Sequence, residues 1–522
     1  MNRSTVRSLI DERARNDGRQ PFLVNPEGRR SLSYHDLKNK AAKVAAGIAS
    51  RGVRPGESVA FAMNNTPECV VCLVGIIYGG YRATAINLVA GRETIGYVLA
   101  HSQSRLILTQ PVHRTMLDEA LQDAAFTEHA NDETAAMPMI IEVDDDLGVI
   151  GSNGAAGGQG NGDEAADALA AGTDGLLMYT SGTTGRPKGV VLTHANLLAG
   201  GLNTSVAHEL TPADRALCVL PLFHINGLCV TLMAPLVSGG SVVLPERFST
   251  SQFWGWVNDH DCSWFSVVPT QVSYLLHADP SSDLPPAARG VLRFGRTASA
   301  PLSPELHQGF EDRFGIPLIE TMGLTETSAQ ILANPMPPGE RRIGSPGIAF
   351  GDEVRIADER QQDVPRQSEG ELLVRGPNVM DRYFRNDVET RQALTSDGWL
   401  RTGDLGRMDA DGYVFITGRL KELIIKGGEN IAPREIDEAL YRHEHVVEAA
   451  AFARPCANYG QRVEAAVSLK PGHAVSETEL VALCETVLGS FKKPDRVHFM
   501  EELPKGPSGK IQRNRLLALI ES

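Results

Sequence analysis

The chain has 522 residues, 42% of them hydrophobic and 22% charged, the balance of an ordinary globular protein too long for one core. Its formal net charge of −14 at pH 7 argues against a nucleic-acid footprint or an anionic-membrane surface, so any polyanionic cofactor must be drawn by local basic groups. The opening stretch MNRSTVRSLIDERARNDGR lacks the apolar core of a secretory signal, the apolar run near Cys69–Ile77 is far short of a membrane span, and seven scattered cysteines suit a reducing compartment. The expectation is a cytoplasmic protein, with no signal for its oligomeric state.

Residues 1–143 alternate between helical and strand patterns. Leu37, Ala41, Val44, Ala45 and Ile48 predict a helix over Tyr34–Ile48, Ser58–Met63 a short strand, Pro67–Tyr78 an apolar helix, and Arg105–Thr109 another strand. Such alternation implies a mostly parallel sheet wrapped by helices. Cys69 and Cys72 have redox-motif spacing but fall inside the apolar helix, and no second pair completes a zinc site; they read as buried structural cysteines. Residues 144–172 are rich in Gly, Ala and acid and have little to bury, a linker or surface insertion.

Next comes Tyr179–Gly189, YTSGTTGRPKG, between the apolar runs Leu176–Met178 and Val190–Leu192. Its glycines let backbone N–H groups turn inward as an anion-binding nest, and Thr180, Ser181, Thr183 and Thr184 add hydroxyls. Lys188 adds a movable charge. A Walker loop would place Ser or Thr after the lysine at a helix start; here Gly189 and a β-branched run follow, so the loop joins strand to strand. It is built to hold phosphates.

Beyond it, strand and helix signals continue to Phe350, and short strands at Glu353–Ile356, Glu371–Val374 and Tyr413–Ile416 suggest a small β-rich subdomain. The texture changes after Gly418. A helix starting at Pro433, strands at Val446–Phe452 and Val463–Leu469 and a helix over Ser476–Leu488 make a compact α+β pattern.

The YTSGTTGRPKG loop resembles the signature loop of the adenylate-forming superfamily, which includes acyl-CoA synthetases, peptide-synthetase adenylation domains and firefly luciferase. Four further motifs follow in the family's order: Glu320-Thr-Met-Gly-Leu-Thr-Glu326, Thr402-Gly-Asp404 with Arg419 fifteen residues on, Lys421–Pro433 (KELIIKGGENIAP), and Pro504–Ile511 (PKGPSGKI). The resemblance runs from about residue 20 to 515. It implies an α/β fold: a large N-terminal domain of parallel-sheet α/β subdomains plus a small β-rich subdomain, with a small mobile α+β C-terminal domain. The division falls at 1–418, binding ATP and acid, and 419–522, a lid hinged near Lys421.

The resemblance also assigns roles. Thr180, Ser181, Gly182, Thr183, Thr184, Gly185 and Lys188 would hold the phosphates of ATP, and Glu326, with Thr184 nearby, the Mg²⁺. Glu320, Thr321, Met322 and Thr325 would lie along the nucleotide, with Met322 where relatives carry an aromatic residue. Asp404 and Arg419 would take the ribose, Gly427 and Gly428 would pass beside the pantetheine arm of CoA, and Lys510 would be the catalytic lysine. His224 and Gly323 match residues lining the acyl pocket, and Arg293–Pro301 matches a pocket wall in which Arg296 could meet a second anionic group.

The expected reaction is that of an AMP-forming acid–CoA ligase: a carboxylic acid, ATP and CoA give acyl-CoA, AMP and diphosphate through an acyl-adenylate. PLFHINGL and RFGRTASAPL are similar to ligases of small polar acids such as oxalate or sulfoacetate. Medium- or long-chain fatty acids are the alternative substrate class. An amino-acid adenylation domain would carry an aspartate where this chain has His224 after Phe223. A nucleotide-binding regulator that had lost catalysis would be expected to lack Lys510 or Glu326.

Overall fold

A computed structural model of the chain describes residues 4–28, 30–123, 137–144, 147, 169–180, 186–279, 284–285, 290–456, 458–506 and 510–521. Ser181, Gly182, Thr183, Thr184 and Gly185 of the predicted phosphate loop and most of the predicted linker lie outside the described residues.

Among the described residues the amino-terminal part carries two large sheets. One has seven strands, and from its edge inward Arg382–Tyr383, Lys188–Thr193 and Asp174–Thr180 pair antiparallel, while Arg82–Ala85, Ser58–Ala62, Ser104–Thr109 and Met139–Glu142 continue in parallel. The predicted strand-to-strand character of the loop is therefore realised: its flanking strands form one antiparallel pair whose last rung is Thr180 opposite Lys188. The helix Pro67–Tyr78 starts where the sequence says it should. Thr66 accepts from the Cys69 backbone N–H, Pro67 occupies the first turn, and every residue of the helix is buried. Cys69 and Cys72 are thus core residues, and burial pushes the Cys69 thiol up to about 12, which makes it inert rather than redox-active.

The second sheet has nine strands among the described residues, with Phe294–Thr297, Trp264–Val267 and Arg215–Cys218 at its parallel centre. The motif Glu320–Glu326 is mostly strand: Leu318–Leu324 pairs with Phe294–Thr297 on one side and Ala329–Ala333 on the other, and a 3-10 turn, Thr325–Thr327, follows. Strands Glu353–Ala357, Gly370–Arg375, Leu400–Met408 and Val414–Arg419 form the β-rich subdomain as one antiparallel sheet. Arg419 is the last residue of that sheet and stands directly opposite Asp404.

The carboxy-terminal part is a separate α+β unit. Val446–Cys456, Gly460–Leu469, Ile424–Lys426, Glu429–Ile431 and Arg496–Phe499 make its sheet. Helix Pro433–Tyr441 packs Ile436 and Leu440 onto that sheet together with Leu480 and Cys484 of helix Glu477–Leu488. It carries its own apolar core, which is the physical requirement for a domain able to move as a body.

Candidate active site

The two domains face each other across a cavity of about 270 Å³. Strand Leu318–Leu324 lends it Glu320, Thr321, Met322 and Gly323; the β-rich sheet lends Asp404 and Arg419; the carboxy-terminal domain lends Arg434, Glu438 and Lys510. With Glu422 and Pro433 of the Lys421–Pro433 stretch also on the wall, residues from four of the sequence motifs converge on one space.

Its electrostatics centre on Asp404, Arg419 and Lys510. Arg419 Nε donates to Asp404 Oδ1 at 2.6 Å, while the buried Asp404 Oδ2 has no hydrogen-bond partner. Burial pushes the Asp404 carboxyl up, with Arg419 opposing. An acceptor oxygen buried without a donor is costly, and hydroxyls of a bound molecule would satisfy it. Lys510 lines this cleft; the surrounding protein and then the Arg419 guanidinium pull its ammonium down to about 8, against Asp404 and Glu326. Glu320 is a second buried acceptor: its Oε1 takes a weak bond from the Leu302 N–H at 3.4 Å, its Oε2 has no partner, and burial raises its pKa.

The polar groups near the strand Lys188–Thr193 form a second cluster. Lys188 Nζ pairs with the Glu389 carboxylate and sits 5.0 Å from the centre of the Tyr383 ring, and the Tyr383 hydroxyl donates to Glu326 Oε1 at 2.8 Å. Glu326 also acts electrostatically on Lys510 and Arg419, so this cluster adjoins the cavity. Among the described residues no group of three or more His, Cys, Asp or Glu side chains could hold a metal ion. A lone carboxylate fits an ion that brings most of its oxygens as phosphate and water.

Two of the lining residues are also engaged behind the cavity wall, and other predicted residues stand elsewhere. The Thr321 hydroxyl donates to the Thr297 carbonyl at 3.2 Å, and Met322 packs its side chain against the core beneath the β-rich sheet. Gly427 and Gly428 form the exposed turn between Ile424–Lys426 and Glu429–Ile431, with φ of +61° and +90°, and do not line the cavity. His224 and Arg296 are likewise absent from the lining. The His224 ring packs 4.8 Å from that of Phe223. Arg296 is 1% exposed, donating through Nη1 to Asn226 Oδ1 and Ser266 Oγ, both at 3.0 Å. Asn226 Nδ2 donates in turn to Ser299 Oγ at 3.3 Å, and Ser299 is on the cavity wall.

Sequence reasoning missed Tyr383, Glu389, Arg434 and Glu438. The first two carry no motif signal of their own and meet Lys188 and Glu326 only through pairing of the edge strand Arg382–Tyr383 with Lys188–Thr193.

Known proteins resemble the chain over its whole length. The AMP-binding enzyme family model matches residues 10–384, and the AMP-binding enzyme C-terminal domain model matches residues 435–510. The chain is 45% identical to a sulfoacetate–CoA ligase of Cupriavidus necator over 98% of this chain and 97% of that protein. It is 35% identical to an oxalate–CoA ligase of Arabidopsis thaliana over 92% and 91%. Among solved structures, ATP-bound MatB from Rhodopseudomonas palustris superposes with a TM-score of 0.86 at 27% identity, covering 99% of both chains. A two-domain cleft, family matches on both sides of it and full-length likeness to named CoA ligases together place this chain in the AMP-binding enzyme family, as an AMP-forming acid–CoA ligase that takes a carboxylic acid, ATP and CoA.

Proposed function

We propose that the acid is small and polar and carries a second anionic group, as sulfoacetate and oxalate do, and that Arg296 meets that group. One observation carries this reading: Arg296 is a fully buried guanidinium with no carboxylate beside it among the described residues. Its partners are neutral oxygens, its Nε has no acceptor, and burial pulls its pKa down to about 9. Burying a cation without a counter-charge costs several kcal/mol, and an anionic substrate would repay it. The chain of Arg296, Asn226 and Ser299 leads from that charge to the cavity wall.

Arg296→Met is expected to lower kcat/KM for sulfoacetate or oxalate by roughly 2–5 kcal/mol equivalent, the scale for truncating one member of a buried charge pair, while sparing acetate and propionate. A panel following diphosphate release reads both. Uniform loss across all acids would make Arg296 structural.

In the proposed mechanism the acid's carboxylate oxygen attacks the α-phosphorus of ATP in line and diphosphate leaves. Thr180, Lys188 and the loop residues between them hold the departing phosphates, Asp404 accepts from the ribose hydroxyls with Arg419 beside it, and Glu320–Thr325 flank the base. Glu326 would be the protein carboxylate that holds the Mg²⁺ accompanying ATP, and that ion would neutralise phosphate charge. Lys510 stabilises the charge that builds between carboxylate and α-phosphate. The CoA thiol then attacks the acyl carbon of the mixed anhydride, and AMP leaves with the bonding pair. Positioning and fixed charge supply most of the acceleration.

We also propose the division at 1–418 and 419–522, with the second step made after the lid turns near Lys421 and brings Gly427 and Gly428 to the pantetheine. Lys421 lies in the 3-10 turn Leu420–Glu422 that joins the two domains, the kind of short connection that absorbs a rotation. Lys421→Pro is expected to leave adenylation intact and slow CoA transfer, since the ring fixes φ. Wild-type rates in both half-reactions would move the hinge elsewhere. Among the described residues no helix is long and apolar enough to cross a membrane, and a cytoplasmic setting suits ATP and CoA as substrates.

A further inference from the structure

Lys188 ends the loop that the proposed mechanism gives to the phosphates, yet its charge is already spent. Its ammonium is ion-paired with Glu389, whose helix, Asp387–Ala393, starts just after the edge strand Arg382–Tyr383. The carboxylate is not a passing surface contact. The Asn386 side chain accepts from the Glu389 backbone N–H at 3.1 Å and fixes the first turn, and the Thr390 hydroxyl takes the Tyr383 N–H at 3.0 Å and ties that turn to the strand. Both partners are mostly buried, with side chains 14% and 23% exposed, so the pair is poorly screened. Below the ammonium lies the Tyr383 ring, whose hydroxyl is committed to Glu326. One aromatic side chain therefore sets the spacing between the lysine and the carboxylate that the mechanism assigns to phosphate and metal.

We propose that Glu389 is an internal stand-in for the nucleotide's phosphates: a positioning residue that holds Lys188 over Tyr383 and must give it up when a triphosphate or diphosphate binds. The inference rests on the reading of Lys188 as a phosphate ligand. An ammonium on a flexible stem has three donors and one charge, and two anions that both need it at close range repel each other. Glu389 thus lowers the intrinsic affinity for ATP and helps expel diphosphate, while keeping a desolvated lysine from standing without a counter-ion between turnovers. Tyr383 stays in place through the exchange and keeps Lys188 within reach of the phosphates.

The test measures binding rather than turnover: the dissociation constants of ATP and of diphosphate for the full chain in EDTA, by calorimetry, at low and high salt. Glu389→Gln keeps the shape and removes the charge. It is expected to tighten both ligands about tenfold, with a smaller gain at high salt. The same substitution in a Lys188→Gln background is expected to give no such gain, because the two residues act through one contact. Unchanged or weaker binding by Glu389→Gln, with Lys188→Gln still weakening ATP, would overturn the stand-in role alone and make Glu389 a structural partner. If Lys188→Gln itself leaves ATP binding unchanged, the phosphate reading of Lys188 fails with it. Tightening that persists without Lys188 would show general repulsion by Glu389 and also overturn the exchange.

Discussion

Lys510→Ala is expected to slow acyl-adenylate formation by about 100-fold or more, the cost of removing one preorganised charge contact from a developing anion. The geometry behind this is the convergence of Lys510 with Asp404 and Arg419 on the inter-domain cavity, with the Glu326 carboxylate near enough to act on its charge. Lys510 arrives there from the far end of the chain because Lys505 pairs with Glu448 at 2.7 Å and reaches Tyr274 of the amino-terminal domain at 3.4 Å, which fixes the base of its loop. Thioester formation from pre-made acyl-adenylate is expected to survive, since in the proposed rotation the lid has by then turned away. Equal loss in both half-reactions would exclude two lid positions. The same lysine predicts a pH limb. Its ammonium titrates near 8, below the usual lysine value, and only the charged form can stabilise the phosphate; kcat/KM for adenylation should therefore fall as pH rises through about 8. Lys510→Arg keeps its charge at all these pH values and should flatten that limb, whatever it does to the absolute rate.

The parts of this enzyme legible in its sequence are those whose physics is local. Helix Pro67–Tyr78 has its observed bounds because a Thr cap, a Pro in the first turn and an apolar run are adjacent in the chain. The strand-to-strand character of the phosphate loop was legible because a β-branched run follows Lys188 where a helix would have to start. Asp404 and Arg419, fifteen residues apart, are cross-strand partners at the mouth of a hairpin, so that spacing also carries structure. Glu320–Glu326 shows the limit. Its threonines and glycine suggest a loop, yet it is mostly strand, held by neighbours on both sides. The partners of Lys188 and Glu326 were out of reach altogether: Glu389 lies 201 residues from Lys188, and Tyr383 57 from Glu326. Nothing in either segment marks it as a neighbour of the other. For Arg296 the chain could not say whether the guanidinium was exposed, paired or buried alone, because burial is decided by Asn226, Ser266 and Gln330 from three other segments.

Gly323→Ala is expected to cut activity severely through space alone. A Cβ at Gly323 would lie 1.4 Å from the Ala329 carbonyl oxygen and 2.3 Å from its carbon, distances at which backbone must move. Ala329 cannot simply step back. It follows Ser328 in a turn where both residues already have positive φ, +48° and +90°, and it pairs with Leu324 in the adjoining strand. The displacement would pass to Gln330, which stands opposite Gly323 and whose side-chain oxygen lies between the His208 ring at 3.2 Å and the Arg296 guanidinium at 3.5 Å. It would also pass to Met322, on the cavity wall, and along the 3-10 turn to Glu326. A shift of about 1 Å in positioning groups costs roughly 100-fold in rate, and strain of this kind about 3 kcal/mol or more in stability. Gly412→Ala is the matched control: its φ is +90°, nothing lies within 4 Å of the added carbon, and it sits in a turn away from the cavity. That variant should lose only about 1 kcal/mol of stability to added backbone strain and keep its diphosphate release. Near-wild-type adenylation and thermal stability in Gly323→Ala would mean that the Leu318–Leu324 and Ala329–Ala333 strands can separate without disturbing the site, and Met322, Glu326 and Gln330 would not be positioned by that pairing.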